Sequence, residues 1–126
     1  MVGIVIVSHC EKLAEGVVDL ARLMAAEAPM RAAGGMEDGG FGTSFEKISN
    51  AIEEVYSDDG VIILMDMGSA VMTTEMVLEM NEDKKLKMID CPLVEGAVAA
   101  SVVSEGGAPF EDVVKAAENA GKTPKF

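Results

Sequence analysis

His9, the only histidine of this 126-residue chain, stands in "IVIVSHCEKLAEG" between an apolar run and a helical pattern, and Asp66, Gly68 and Ser69 stand in "MDMGSA" after a second apolar run. An imidazole oriented by a carboxylate, next to backbone N–H groups that attract anions, is what a phosphoryl acceptor requires. Ser8 and Glu11 have capping-box spacing, which predicts His9 at the first position of a helix, beside unpaired N–H groups and the positive end of the dipole. Each residue also has a plainer reading. A lone histidine in a strand-to-helix turn is more often an exposed loop residue, and an aspartate before a glycine at a strand end is a common turn. Cys10 is either a thiol activated by a helix start or a small buried hydrophobe.

The elements that must position these residues follow from periodicity. Gly3 to Val7 and Val61 to Met65 are short apolar runs rich in β-branched residues, as in strands buried on both faces, and Met30 to Ala33 and Lys87 to Ile89 read as shorter strands. Between them, Leu13, Val17, Leu20 and Met24 form one helical stripe, Phe45, Ile48, Ile52 and Val55 a second, and Met72, Met76 and Met80 a third that is expected to be core. Thr43 or Ser44 starts the second helix, with Thr43 and Glu46 at capping-box spacing. An alanine- and valine-rich helix runs from Leu93 to about Val103, and Pro109 suits the first position of a last helix with Phe110, Val113, Val114 and Ala117 inward. Strands alternating with helices imply an α/β fold with a mostly parallel central sheet and helices on both faces. In such sheets ligands bind beyond the carboxyl ends of the strands, near the point where strand order reverses. That edge should gather "VSHC", the glycine loop 34–42 and "MDMGS".

Composition excludes several partners. A net charge of −12 with scattered Lys and Arg disfavours nucleic acid and anionic membrane surfaces. No apolar stretch approaches the roughly 18 residues of a membrane span, and the amino terminus lacks a secretory pattern. Two cysteines, Cys10 and Cys91, make neither a disulfide framework nor a zinc site, so no metal and a reducing cytoplasm are expected. "GGMEDGGFGTS" lacks the GKS or GKT ending of a P-loop, so nucleotide binding on this chain is not expected.

"IVIVSHCEKLAEGV", "MDMGSAVMTTEM" and "CPLVEGAVAASV", in that order and with a glycine loop ending "GTS" between the first two, closely resemble the phosphotransfer subunits of phosphotransferase-system-dependent dihydroxyacetone kinases, a branch of the mannose-type enzyme IIA family. The resemblance runs to about Val103. It implies one mannose-type enzyme IIA-like three-layer domain over residues 1–126, a homodimer, and phosphate carried on His9. Sugar-transporter members tend to show GHG and DLFGGSP where this chain has "SHC" and "DMGSA". By this resemblance His9 accepts phosphate from HPr and passes it to ADP on the nucleotide-binding subunit of the kinase, with no cofactor on this chain itself. Asp66 matches the carboxylate that supports the histidine and Ser69 the polar residue of the same turn, while Gly35 and Thr43 fall in the loop bordering the site. Some members continue into HPr-like and enzyme I-like domains; with this chain ending at Phe126, those donors are expected as separate proteins. The competing readings are a sugar-transporter enzyme IIA, a receiver-like domain phosphorylated on Asp66, and a non-catalytic dimerisation module on the same fold.

Overall fold

A computed structural model describes residues 1–126. Its strands are β1 (Gly3–Ser8), β2 (Met30–Gly34), β3 (Val61–Met65) and β4 (Leu86–Met88), and its helices α1 (Glu11–Arg22), α2 (Phe45–Val55), α3 (Gly68–Glu79), α4 (Leu93–Glu105) and α5 (Phe110–Ala120). The sheet order is β2-β1-β3-β4 and every pair is parallel, so the expected mostly parallel sheet is wholly parallel. Strand order reverses between β1 and β3, where the loops after these strands open a crevice.

Alternation along the central strands divides the core into two layers. Ile4, Ile6, Ile62 and Leu64 pack against α1, α4 and α5, and Val5, Val7, Val61 and Ile63 pack against α2 and α3. β1 and β3 are buried on both faces, which explains why they read as unbroken apolar runs.

Three helical expectations are corrected. The buried face of α1 is Ala14, Val17, Val18 and Ala21, leaving Leu13, Leu20 and Met24 exposed. Small residues set that face, because α1 packs against α4 and both helices put small residues into the shared core, Ala14 and Ala21 from one and Ala97 and Ala100 from the other. Likewise α3 buries Ala70, Thr74 and Val77 and turns Met72, Met76 and Met80 to solvent, so the methionine stripe is not core. Pro109 is the N-cap of α5 and Phe110 its first residue, although Phe110, Val113, Val114 and Ala117 point inward as predicted. The start of α2 resolves to Ser44, whose side chain accepts the Lys47 N–H.

Candidate active site

The carboxyl ends of β1 and β3 bring Ser8, His9 and Asp66 together across 57 to 58 residues of sequence. Asp66 Oδ2 accepts the His9 backbone N–H at 3.0 Å and the Ser8 hydroxyl at 2.8 Å. Asp66 Oδ1 lies 2.9 Å from His9 Nδ1 and accepts the Met67 N–H at 2.7 Å. Burial alone would raise the Asp66 carboxyl; the His9 N–H, the Ser8 hydroxyl, the His9 ring and the Met67 N–H outweigh it and hold the group below its usual range. An ionised carboxylate only accepts, so the contact with Oδ1 puts a proton on Nδ1, and in the neutral imidazole Nε2 is then the nitrogen with the lone pair. Nε2 meets the Ser69 hydroxyl at the first turn of α3, where the Ala70 N–H is taken by the Met67 carbonyl and the Gly68 and Ser69 N–H groups precede any intrahelical acceptor.

The Ser8 to Glu11 capping box does not form. α1 begins at Glu11 with Cys10 as N-cap, so His9 precedes the helix rather than occupying its first turn. Ser8 is fully buried, and it makes a tight turn by accepting the Cys10 N–H at 3.0 Å while donating to Asp66. Its hydroxyl is claimed by the Asp66 carboxylate from the turn after β3, which leaves none for the helix. Glu11 turns instead to Lys47, whose ammonium also donates to the Gly34 carbonyl.

The glycine loop braces the backbone of this turn. Gly35 N–H donates to Ser8 O at 3.0 Å and Gly42 N–H donates to His9 O at 2.8 Å. Gly35 has φ +69°, and a Cβ there would stand 2.9 Å from Gly40 O, so a side chain is excluded on both counts. Thr43 ties the loop to α3 through Thr73 at 2.9 Å, one turn beyond Ser69. Of the predicted residues, His9, Asp66 and Ser69 meet through their side chains. Gly68 opens α3 beside them, Cys10 contributes backbone bonds to the turn, and Gly35 and Thr43 hold the loop. The buried role of Ser8, which the spacing reads as a helix cap, and the Thr73 partner, an ordinary polar residue of a helical pattern, are not legible in the sequence.

Both Asp66 oxygens are engaged in positioning His9, and the β1 turn offers no acidic pair, unlike the receiver-like reading. No group of three or more His, Cys, Asp or Glu side chains gathers to hold a metal ion, and no helix is long and apolar enough to cross a membrane.

Residues 3–114 match the family model EIIA-man, described as the PTS system fructose IIA component. The chain is 45% identical over 111 residues to the phosphotransferase subunit DhaM of a PTS-dependent dihydroxyacetone kinase from Lactococcus lactis, covering 88% of this chain and 89% of that one. It is 40% identical to the phosphoryl donor subunit DhaM of Escherichia coli, of which it spans 26% of the length while using 90% of its own. The crystal structure of a protein of unknown function superposes with TM-score 0.86 at 31% identity, each chain covered completely. A phosphotransferase system component EIIA from Streptococcus agalactiae shares the fold at TM-score 0.71 and 19% identity, over 97% of this chain and 93% of its own. The chain belongs to the mannose-type enzyme IIA family, in the branch formed by the DhaM phosphoryl donor subunits of dihydroxyacetone kinases.

Proposed function

We propose that His9 is a transient phosphoryl carrier, taking a phosphoryl group on Nε2 from HPr and giving it to ADP bound on the nucleotide-binding subunit of a dihydroxyacetone kinase. One observation carries the reading. The single histidine is clamped by a carboxylate on Nδ1 while Nε2 is turned to a serine hydroxyl at a helix start.

The chemistry follows from that clamp. The Nε2 lone pair attacks phosphorus in line with the donor bond, the new N–P bond forms, and the donor nitrogen leaves with its electron pair. Nδ1 keeps its proton, so the phosphorylated ring is cationic and the Asp66 carboxylate stabilises it. Ser69 Oγ and the N–H groups opening α3 face the phosphoryl oxygens and supply neutral donors there. In the second step an oxygen of the ADP β-phosphate attacks phosphorus, and the N–P electrons return to Nε2. Positioning and charge stabilisation suffice for such transfers, so this chain needs no cofactor of its own, and ADP and ATP stay on the partner. A cytoplasmic homodimer working in dihydroxyacetone and glycerol metabolism fits this role.

The test is to mix the protein with phosphoenolpyruvate, enzyme I and HPr, then add the ADP-loaded kinase subunit. Acid-labile, base-stable label is expected on the wild type and none on His9→Gln, with discharge to ATP. Label persisting on the variant removes His9 from the mechanism. Discharge only to a sugar-transporter subunit assigns the chain to the other branch.

A further inference from the structure

We infer that Thr73 is a positioning residue for phosphoryl transfer, its hydroxyl joining the loop that holds the His9 carbonyl to the helix that carries Ser69. The inference rests on the phosphoacceptor role proposed for His9.

Two separate parts of the chain pin the His9 peptide. Asp66, after β3, accepts its N–H at 3.0 Å, and Gly42, at the end of the loop after β2, donates to its carbonyl at 2.8 Å. The carboxylate is itself fixed by three further bonds, to the Ser8 hydroxyl, the His9 ring and the Met67 N–H. Gly42 has no such anchorage of its own. It ends a stretch, residues 34–42, in which five of nine residues are glycine, the type that loses most conformational freedom on ordering. It also cannot carry a side chain, because its φ is +141° and a Cβ would stand 2.9 Å from Met36 Sδ. The tie comes from the next residue.

Thr43 Oγ1 lies 2.9 Å from Thr73 Oγ1, and both residues are half-buried. No other hydrogen bond joins residues 34–43 to α3. The Thr73 hydroxyl leans on the Ser69 carbonyl one turn back, at 3.4 Å, as threonines in helices do. With its proton directed there, its oxygen is the acceptor and Thr43 the donor. The contacts close a ring through His9: its carbonyl to Gly42, Thr43 to Thr73, Thr73 to Ser69, and the Ser69 hydroxyl back to Nε2. One hydroxyl therefore sets the loop and the phosphate-facing turn of α3 at a fixed spacing on either side of the nucleophile. Transfer depends on that spacing, because the reacting atoms must be held near contact and in line. A plain packing role for Thr73 would act through its methyl group instead, and variants separate the two.

The experiment compares wild type, Thr73→Val and Thr73→Ser in the labelling of His9 by phosphorylated HPr and by the small molecule phosphoramidate. Valine keeps the shape without the hydroxyl, and serine keeps the hydroxyl without the methyl. Thr73→Val should slow transfer from both donors by roughly five- to tenfold, the worth of one hydrogen bond, with KM for HPr within about twofold of wild type. Thr73→Ser should recover to within about twofold. Hydrogen exchange at the Gly42 N–H should quicken by a similar factor in Thr73→Val alone, while the amides of β1 and β3 keep their rates. Thr43→Val should reproduce the loss, and the double variant should add nothing to it. Unimpaired transfer or unchanged Gly42 exchange in Thr73→Val overturns the proposal. So does a loss that Thr73→Ser shares, which assigns the effect to packing, or one seen only with HPr, which assigns it to donor docking. If wild type takes no label from either donor, the phosphoacceptor reading itself fails and this inference falls with it.

Discussion

Asp66 holds His9 twice, by the backbone N–H through Oδ2 and by ring Nδ1 through Oδ1. The first bond fixes where the histidine stands and the second fixes which nitrogen is free. Asp66→Asn keeps the shape but can offer its amide N–H to the ring, which invites the opposite tautomer. Phosphorylation by the protein donor should fall on the order of a hundredfold or more, as when a histidine-orienting carboxylate is neutralised elsewhere. Steady-state labelling with limiting HPr measures it, and a loss below about threefold contradicts the role.

The same contacts make a pH prediction. The Asp66 carboxyl is held below its usual range in the folded chain, so its ionised form adds stability above the unfolded carboxyl value near pH 4. That contribution is lost as pH falls through the lower native value. Urea unfolding of wild type and Asp66→Asn should therefore differ by a constant amount above about pH 5, with the gap closing below about pH 4. A gap that is flat through the acid range contradicts the assignment.

Ser8 is buried with its hydroxyl engaged at both ends. Ser8→Ala leaves Asp66 Oδ2 with one donor fewer and the Cys10 N–H without an acceptor. A loss of about 1–3 kcal/mol in unfolding free energy is expected, readable in chemical denaturation.

The fold was legible because the central strands are buried on both faces and the loops carry Gly or Pro. The convergence of His9, Asp66 and Ser69 was legible because a parallel sheet delivers its loops to one edge. What failed was the rotation of helices. On α1 and α3 the large apolar residues look like the buried stripe, yet Ala14, Ala21, Ala70 and Thr74 face inward because small side chains let the helices sit close. The local capping pattern at Ser8 failed for a different reason. A long-range carboxylate outcompetes a helix start for the same hydroxyl, and no local spacing reveals that.

Thr74 is fully buried on α3, and its hydroxyl has no hydrogen-bond partner. Thr74→Val keeps the shape and removes the unpaired group, so the variant should be more stable by about 1 kcal/mol. Thermal and urea melts decide it; a destabilised variant means the hydroxyl has a partner in solution.

Burial, then Asp90, then Glu118 push the Cys91 thiol up to about 11. At pH 8 only about one thiol in a thousand is then ionised. Cys10→Ser protein should accordingly react with iodoacetamide far more slowly than free cysteine does, and rapid alkylation contradicts the burial.

The central claim is that the carboxylate clamp makes Nε2 the acceptor nitrogen. Nitrogen-15 labelling of the histidine ring, with phosphorus-coupled NMR after phosphorylation by HPr, reads the bonded atom directly. The structure predicts phosphorus coupled to His9 Nε2 with the proton retained on Nδ1. Phosphorus coupled to Nδ1, the nitrogen that Asp66 holds, would contradict the account.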